Sequence, residues 1–190
     1  MLDGAARVDE LVSEVAKQEM PAIAMTDHGN LFGAFEFYKK ASKAGVKPII
    51  GIEAYVAPES RFDKRKVKWA DGGDDDVSAG GAYTHMTILA ENNQGLANLF
   101  RLSSLASLEG YYYKPRMDRE LLNKYSSGLI ATTGCPGGEV QTKIRMGAYE
   151  EAKKAASELQ DIFGKGNFFI EVMEHGIDIE NRVRKDLLKL

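Results

Sequence analysis

The 190-residue chain contains three histidines, His28, His85 and His175, and one cysteine, Cys135. Imidazole, thiolate and carboxylate are the groups that hold zinc and related divalent ions. His28 follows Asp27 in Thr26-Asp27-His28-Gly29, and Cys135 lies in Thr133-Gly134-Cys135-Pro136-Gly137-Gly138. Glu53 sits inside the apolar run from Lys47 to Val56, where a carboxylate is costly to bury unless it is paired or metal-bound. Ions held together by such groups lower the pKa of bound water and clamp both oxygens of a phosphodiester displacement. That chemistry needs carboxylates to bridge ions and neutral imidazoles to complete each shell. Asp3, His28, Glu53, His85 and Cys135 would supply part of such a cluster. Plainer roles also fit: Asp27 as a helix cap, Asp3 as a turn residue, His85 as a hydrogen-bonded core histidine and Cys135 as a small buried filler. His175, in Glu174-His175-Gly176, falls outside the metal set.

The elements that must position these residues follow from periodicity. Val8, Leu11, Val12 and Val15 recur at helical spacing and predict a helix over about 6–18. Pro21 closes it, and 22–25 is a short apolar strand ending at the Thr26–Gly29 turn. Residues 31–43 read as a helix stopped by Gly45. The run 47–56, rich in Ile, Tyr and Val, reads as a buried strand. Further strands are expected at 84–90, 129–132 and 167–172, with helices at 96–108, 138–146, 148–163 and from 178 onward. Alternating strands and helices imply a parallel sheet, open or closed into a barrel, with the site beyond the carboxyl ends of the strands. Asp27, His28, Cys135 and Glu171 obey that rule. His85, at the start of its strand, does not.

Residues 57–82 interrupt the pattern with Arg61, Lys64, Arg65, Lys66 and Lys68, then Asp71 and Asp74 to Asp76 among glycines. This reads as a solvated, mobile excursion of a single domain spanning 1–190. With 44% hydrophobic and 28% charged residues the composition is that of an ordinary globular domain. A net charge of −3 argues against a dedicated nucleic-acid-coating module. A single cysteine and no apparent signal peptide suit the cytoplasm, and no apolar run is long enough for a membrane helix. Two further cues concern phosphate. Tyr111-Tyr112-Tyr113-Lys114-Pro115-Arg116 sets three aromatics beside two cations, a combination suited to single-stranded nucleic acid or to a loop that packs on its own fold. Gly137-Gly138 before a helix could present amides to an anion.

Six segments in order carry a family resemblance: Leu2–Ala5, Thr26–Gly33, Lys47–Tyr55, Thr84–Ala90, Tyr112–Arg116 and Thr133–Gly138. Together they resemble the PHP (polymerase and histidinol phosphatase) domains of C-family bacterial replicative DNA polymerase α subunits. The resemblance covers essentially the whole chain. It implies a distorted, TIM-like β/α barrel, incomplete at both ends. The family's opening His-x-His would precede Met1 and its later Asp-x-His would follow Leu190. By matching positions Asp3, His28, Glu53, His85 and Cys135 are implied metal ligands, with Asp3 and Glu53 the catalytic carboxylates. The implied cofactors are up to three divalent ions, zinc, manganese or similar; magnesium would serve a polymerase domain outside this chain. The implied activity is 3′–5′ exonucleolytic proofreading within a cytoplasmic replicase. The alternatives are a non-catalytic structural module and a small-molecule phosphoesterase. The implied partners are DNA, met by Lys114 and Arg116, the sliding clamp and a separate exonuclease subunit.

Overall fold

The computed structural model describes residues 6–68 and 80–190. Asp3 and residues 69–79 of the charged stretch lie outside them. The elements run α1 (Val8–Lys17), β1 (Ala22–His28), α2 (Ala34–Lys43), β2 (Lys47–Val56), β3 (Thr84–Ala90), α3 (Asn93–Glu109), β4 (Arg116–Met117), α4 (Arg119–Tyr125), β5 (Leu129–Thr132), α5 (Glu139–Arg145), α6 (Tyr149–Phe163), β6 (Phe168–Phe169) and α7 (Asp178–Leu187). The sequence reading lacks β4 and α4. Two residues of strand carry no periodicity, and α4 is short and announced mainly by its cap, the Asp118 carboxylate accepting from the Leu121 amide at 3.0 Å.

The sheet order is β1-β2-β3-β5-β6. β4 pairs Tyr55 and Val56 of β2, beyond the last β1 partner at Glu53, so β1 and β4 share one edge of β2 while β3 takes the other. β1, β4, β5 and β6 all run in the direction of β2. β3 alone is reversed, antiparallel to β2 and to β5. The all-parallel expectation is therefore corrected for one strand. A parallel return needs a crossover that lays an element over the sheet. The described residues between β2 and β3 form no helix, and the chain comes back the other way. The sheet is mixed and open, and it does not close into the expected TIM-like barrel.

One face of this sheet is the core. Ile52, Ala54 and Val56 of β2 and Met86 and Ile88 of β3 point to it and are almost fully buried against Leu99, Leu102 and Ala106 of α3, Leu121 and Leu122 of α4 and Leu159 of α6. Each Ile, Val, Leu or Met side chain among them contributes roughly 1.5–3 kcal/mol relative to leaving it in water. α1 and α2 continue the cover through Val12, Val15, Phe37 and Ala41. The alternation of strands places the other residues, Thr26, His28, Glu53, Tyr55, His85, Thr87 and Thr132, on the opposite face.

The start of the charged stretch is no solvated excursion. Arg61 is buried, and its guanidinium meets Asp118 at 3.0 Å, Glu109 at 2.6 Å and Glu120 at 3.0 Å. The same Asp118 carboxylate accepts the Arg61 amide at 2.8 Å. Residues 57–63 are thereby held against α3 and α4.

Candidate metal centre

Four predicted ligands converge on the uncovered face. The β1–β2 register sets His28 beside Glu53, and the β2–β3 register sets His85 beside Tyr55, two residues along the same face. Glu53 presents one carboxylate oxygen to each histidine: Oε2 lies 2.9 Å from His28 Nε2, and Oε1 lies 3.2 Å from His85 Nδ1. Cys135 Sγ completes the group, 3.2 Å from His85 Nδ1 and 3.8 Å from Glu53 Oε1. Ligand atoms of Glu53, His85 and Cys135 all lie within 4.8 Å of one another. Glu53 and His85 are each less than one-fifth exposed at the side chain, whereas His28 is half exposed. Asp3 lies outside the described residues.

The reversal of β3 explains why His85 breaks the strand-end rule and still reaches the site. Its strand begins where β2 ends, so a residue at the start of β3 stands at the carboxyl edge of the other strands. Cys135 arrives there because the loop after β5 folds back onto β3. The His85 amide donates to the Gly137 carbonyl at 2.9 Å, and the Gly137 amide donates to Cys135 Sγ at 3.4 Å. Gly137 is needed for this approach, since a Cβ there would stand 2.9 Å from His85 Nδ1. In the sequence the Gly137-Gly138 pair suggests an anion site. In the fold Gly137 makes room for a ligand.

Burial disfavours a charged His85, but its hydrogen bonds to Cys135 and Glu53 outweigh that and raise its pKa to about 9. These neighbours favour the protonated imidazole. A carboxylate, two imidazoles and a thiol, drawn from β1, β2, β3 and the loop after β5, suit a divalent ion of the zinc type. Glu53, with one oxygen toward each histidine, would help to hold such an ion.

The remaining candidates have other roles. Asp27 Oδ2 accepts from the Gly33 amide at 3.0 Å and so anchors the turn that leads into α2. Glu171 accepts from the Thr132 hydroxyl at the end of β5. His175 bonds the buried Glu180, ring Nδ1 to Oε1 at 2.8 Å and amide to Oε2 at 2.6 Å, which ties the chain before α7 to its first turn. Lys114 is exposed, as a DNA contact requires. Arg116 is corrected. It is fully buried and donates to the carbonyls of Gly110, Ala82, Arg61 and Asp63 at 2.9–3.1 Å, so it presents nothing to DNA. Sequence reasoning also missed Arg61, whose place in a run of cations hid its carboxylate partners.

Known proteins bear on this centre. The chain is 59% identical over its whole length to DNA polymerase III subunit alpha of Saccharopolyspora erythraea, covering 17% of that protein. It is 49% identical over 98% of its length to DNA polymerase III subunit alpha of Thermus aquaticus, covering 15%. It thus spans about one-sixth of the length of the curated relatives it matches. Among solved structures it is similar to a presumed metal-dependent phosphoesterase of Bifidobacterium adolescentis, with a TM-score of 0.48 and 15% identity, covering 98% of this chain and 78% of that one. The PHP domain matches residues 1–175. The chain belongs to the PHP-domain family.

Proposed function

We propose that this chain is the PHP domain of a bacterial replicative DNA polymerase, an α subunit of DNA polymerase III, and that its centre hydrolyses phosphodiester bonds at the 3′ end of the growing DNA strand. The observation that carries this reading is Glu53 set between His28 and His85 with Cys135 in reach. Glu53, His85, Cys135 and His28, joined by Asp3 through its family position, would hold up to three divalent ions. Bound there, the ions would supply a water of lowered pKa and positive charge opposite the phosphate. The chain's own residues prepare for this. Glu53 is fixed by its place in the centre of the sheet. His85 is held by its main-chain bond to Gly137, and Cys135 by the Gly137 amide. His85 would have to be neutral to serve as a ligand, so metal binding would depend on pH.

The test is metal content and exonuclease activity measured together on a primer with a mispaired 3′ end. Glu53→Gln and His85→Ala are expected to lose bound metal and 3′-nucleotide release in parallel. Full release by both variants would end the hydrolytic reading. Metal binding by the parent chain with no release on any 3′ end would favour a structural role for the centre.

A further inference from the structure

The aromatic and cationic segment 111–116 is only half explained by a buried Arg116. The same guanidinium bond that removes Arg116 from solvent, Nε to the Gly110 carbonyl at 3.1 Å, closes the neck of the loop. What the neck holds out is unusual. Tyr111 and Tyr113 are 62% and 55% exposed. Tyr113 has φ of 61°, a left-handed conformation that is a true outlier for a bulky side chain. The Tyr112 amide donates to the Lys114 carbonyl at 3.1 Å across this turn, and the rings of Tyr112 and Tyr113 meet edge-on with centroids 4.5 Å apart. Such strain persists where the surroundings enforce it and is often tied to function.

The turn borders the metal centre. Gly29, next to His28, adopts φ of 69°, and a Cβ there would stand 2.8 Å from the Tyr55 ring and 2.9 Å from Pro115. Pro115 therefore rests where β1 ends. Lys114 Nζ lies 5.5 Å from the centroid of the Tyr55 ring, and that ring stands edge-on to His85 with centroids 5.3 Å apart. Lys66 Nζ lies 4.8 Å from the Tyr113 ring centroid. Lys114 is thus one side chain, the Tyr55 ring, away from a ligand histidine, and Lys66 sits at the exposed Tyr113 in the same turn.

We propose that the turn Tyr111–Lys114, with Lys66, is the wall that holds single-stranded DNA at the metal centre, Tyr113 stacking on a base while Lys114 and Lys66 meet the backbone phosphates. The proposal rests on the reading of the centre as acting on DNA ends and names the element that would grip the strand. Base stacking on an aromatic ring plus cationic tracking of the backbone is the general means of holding a single strand without reading its sequence. With its left-handed backbone Tyr113 remains 55% exposed beside the Tyr112 ring and Lys66.

The test is equilibrium binding of a fluorescent oligothymidylate to the whole chain with calcium in place of catalytic ions, so that binding is read without cleavage. Tyr113→Gly removes the ring and relieves the backbone, so it cannot lower affinity through strain. It is expected to weaken binding about tenfold, while Tyr113→Phe keeps parental affinity. Lys114→Ala is expected to reduce the slope of log affinity against log salt by about 0.7, the value for one phosphate contact on a single strand. Thermal melting and zinc content verify that each variant is folded with its centre intact. Parental affinity in Tyr113→Gly with an unchanged salt slope in Lys114→Ala would overturn the proposal, as would absence of oligonucleotide binding by the parent. Binding that depends on Tyr113 and Lys114 in a chain that never cleaves DNA would support the proposal and count against the hydrolytic reading.

Discussion

Replacing Arg116 tests whether the cation of the Tyr-Lys-Pro-Arg segment is structural. Its guanidinium is fully buried and makes four hydrogen bonds to main-chain carbonyls from three segments of the chain. Hydrogen bonds to a charged group net roughly 1.5–3 kcal/mol each. Burying the cation costs several kcal/mol in return. Among the described residues no carboxylate bonds it directly, and burial pulls its pKa below the usual arginine value. Each buried carbonyl left without a donor costs about 1–3 kcal/mol, partly offset because the cation's own burial cost disappears, for a net loss of about 3–5 kcal/mol. Arg116→Met fills the space but leaves the carbonyls without donors, so its loss is expected in that range. In a domain of this size 1 kcal/mol moves Tm by roughly 2–4 °C, so the expected drop is about 6–20 °C. Arg116→Lys is expected to recover at most half, because one ammonium cannot span four carbonyls arranged for a planar fork. The measurement is thermal unfolding by circular dichroism, with a chelator and again with zinc. A Tm for Arg116→Met within a degree or two of the parent, or full recovery with lysine, would refute this account and return Arg116 to a surface role.

Other outcomes follow from the same geometry. With a chelator present, the His85 pKa near 9 lies above its ordinary 6.5, so its contribution to stability is complete below pH 6.5 and is lost as pH rises toward 9. Tm of the metal-free chain should fall across that window, and His85→Ala should flatten the fall; a parental Tm that stays level there contradicts the pairing. Gly137→Ala pushes a methyl group toward His85 Nδ1 and should lower zinc affinity by about tenfold or more, as measured by competition with a chelating dye, in line with losses on disturbing groups around ligands. Asp27→Ala removes the acceptor of the Gly33 amide ahead of α2 and should cost about 1 kcal/mol in chemical denaturation with zinc content unchanged. Loss of zinc in that variant would mean that Asp27 belongs to the centre.

The ligand chemistry was legible in the chain itself, because rare side chains stand at strand ends and Glu53 interrupts an apolar strand. Most element positions were legible too, since helix and strand periodicities are local. Strand direction was not. Whether β3 runs with or against β2 depends on how the chain returns after Val56, and no pattern within Thr84–Ala90 encodes that. This one reversal brings His85 to Glu53. Burial of cations was hidden for a similar reason. Arg61 and Arg116 look like surface charges because the carboxylates and carbonyls that satisfy them come from segments distant in sequence. A run of residues can show which groups are able to bind a metal or a phosphate. Only the folded sheet and its loops decide which of them meet, because the partners that neutralise a charge or share an ion are supplied by tertiary contacts.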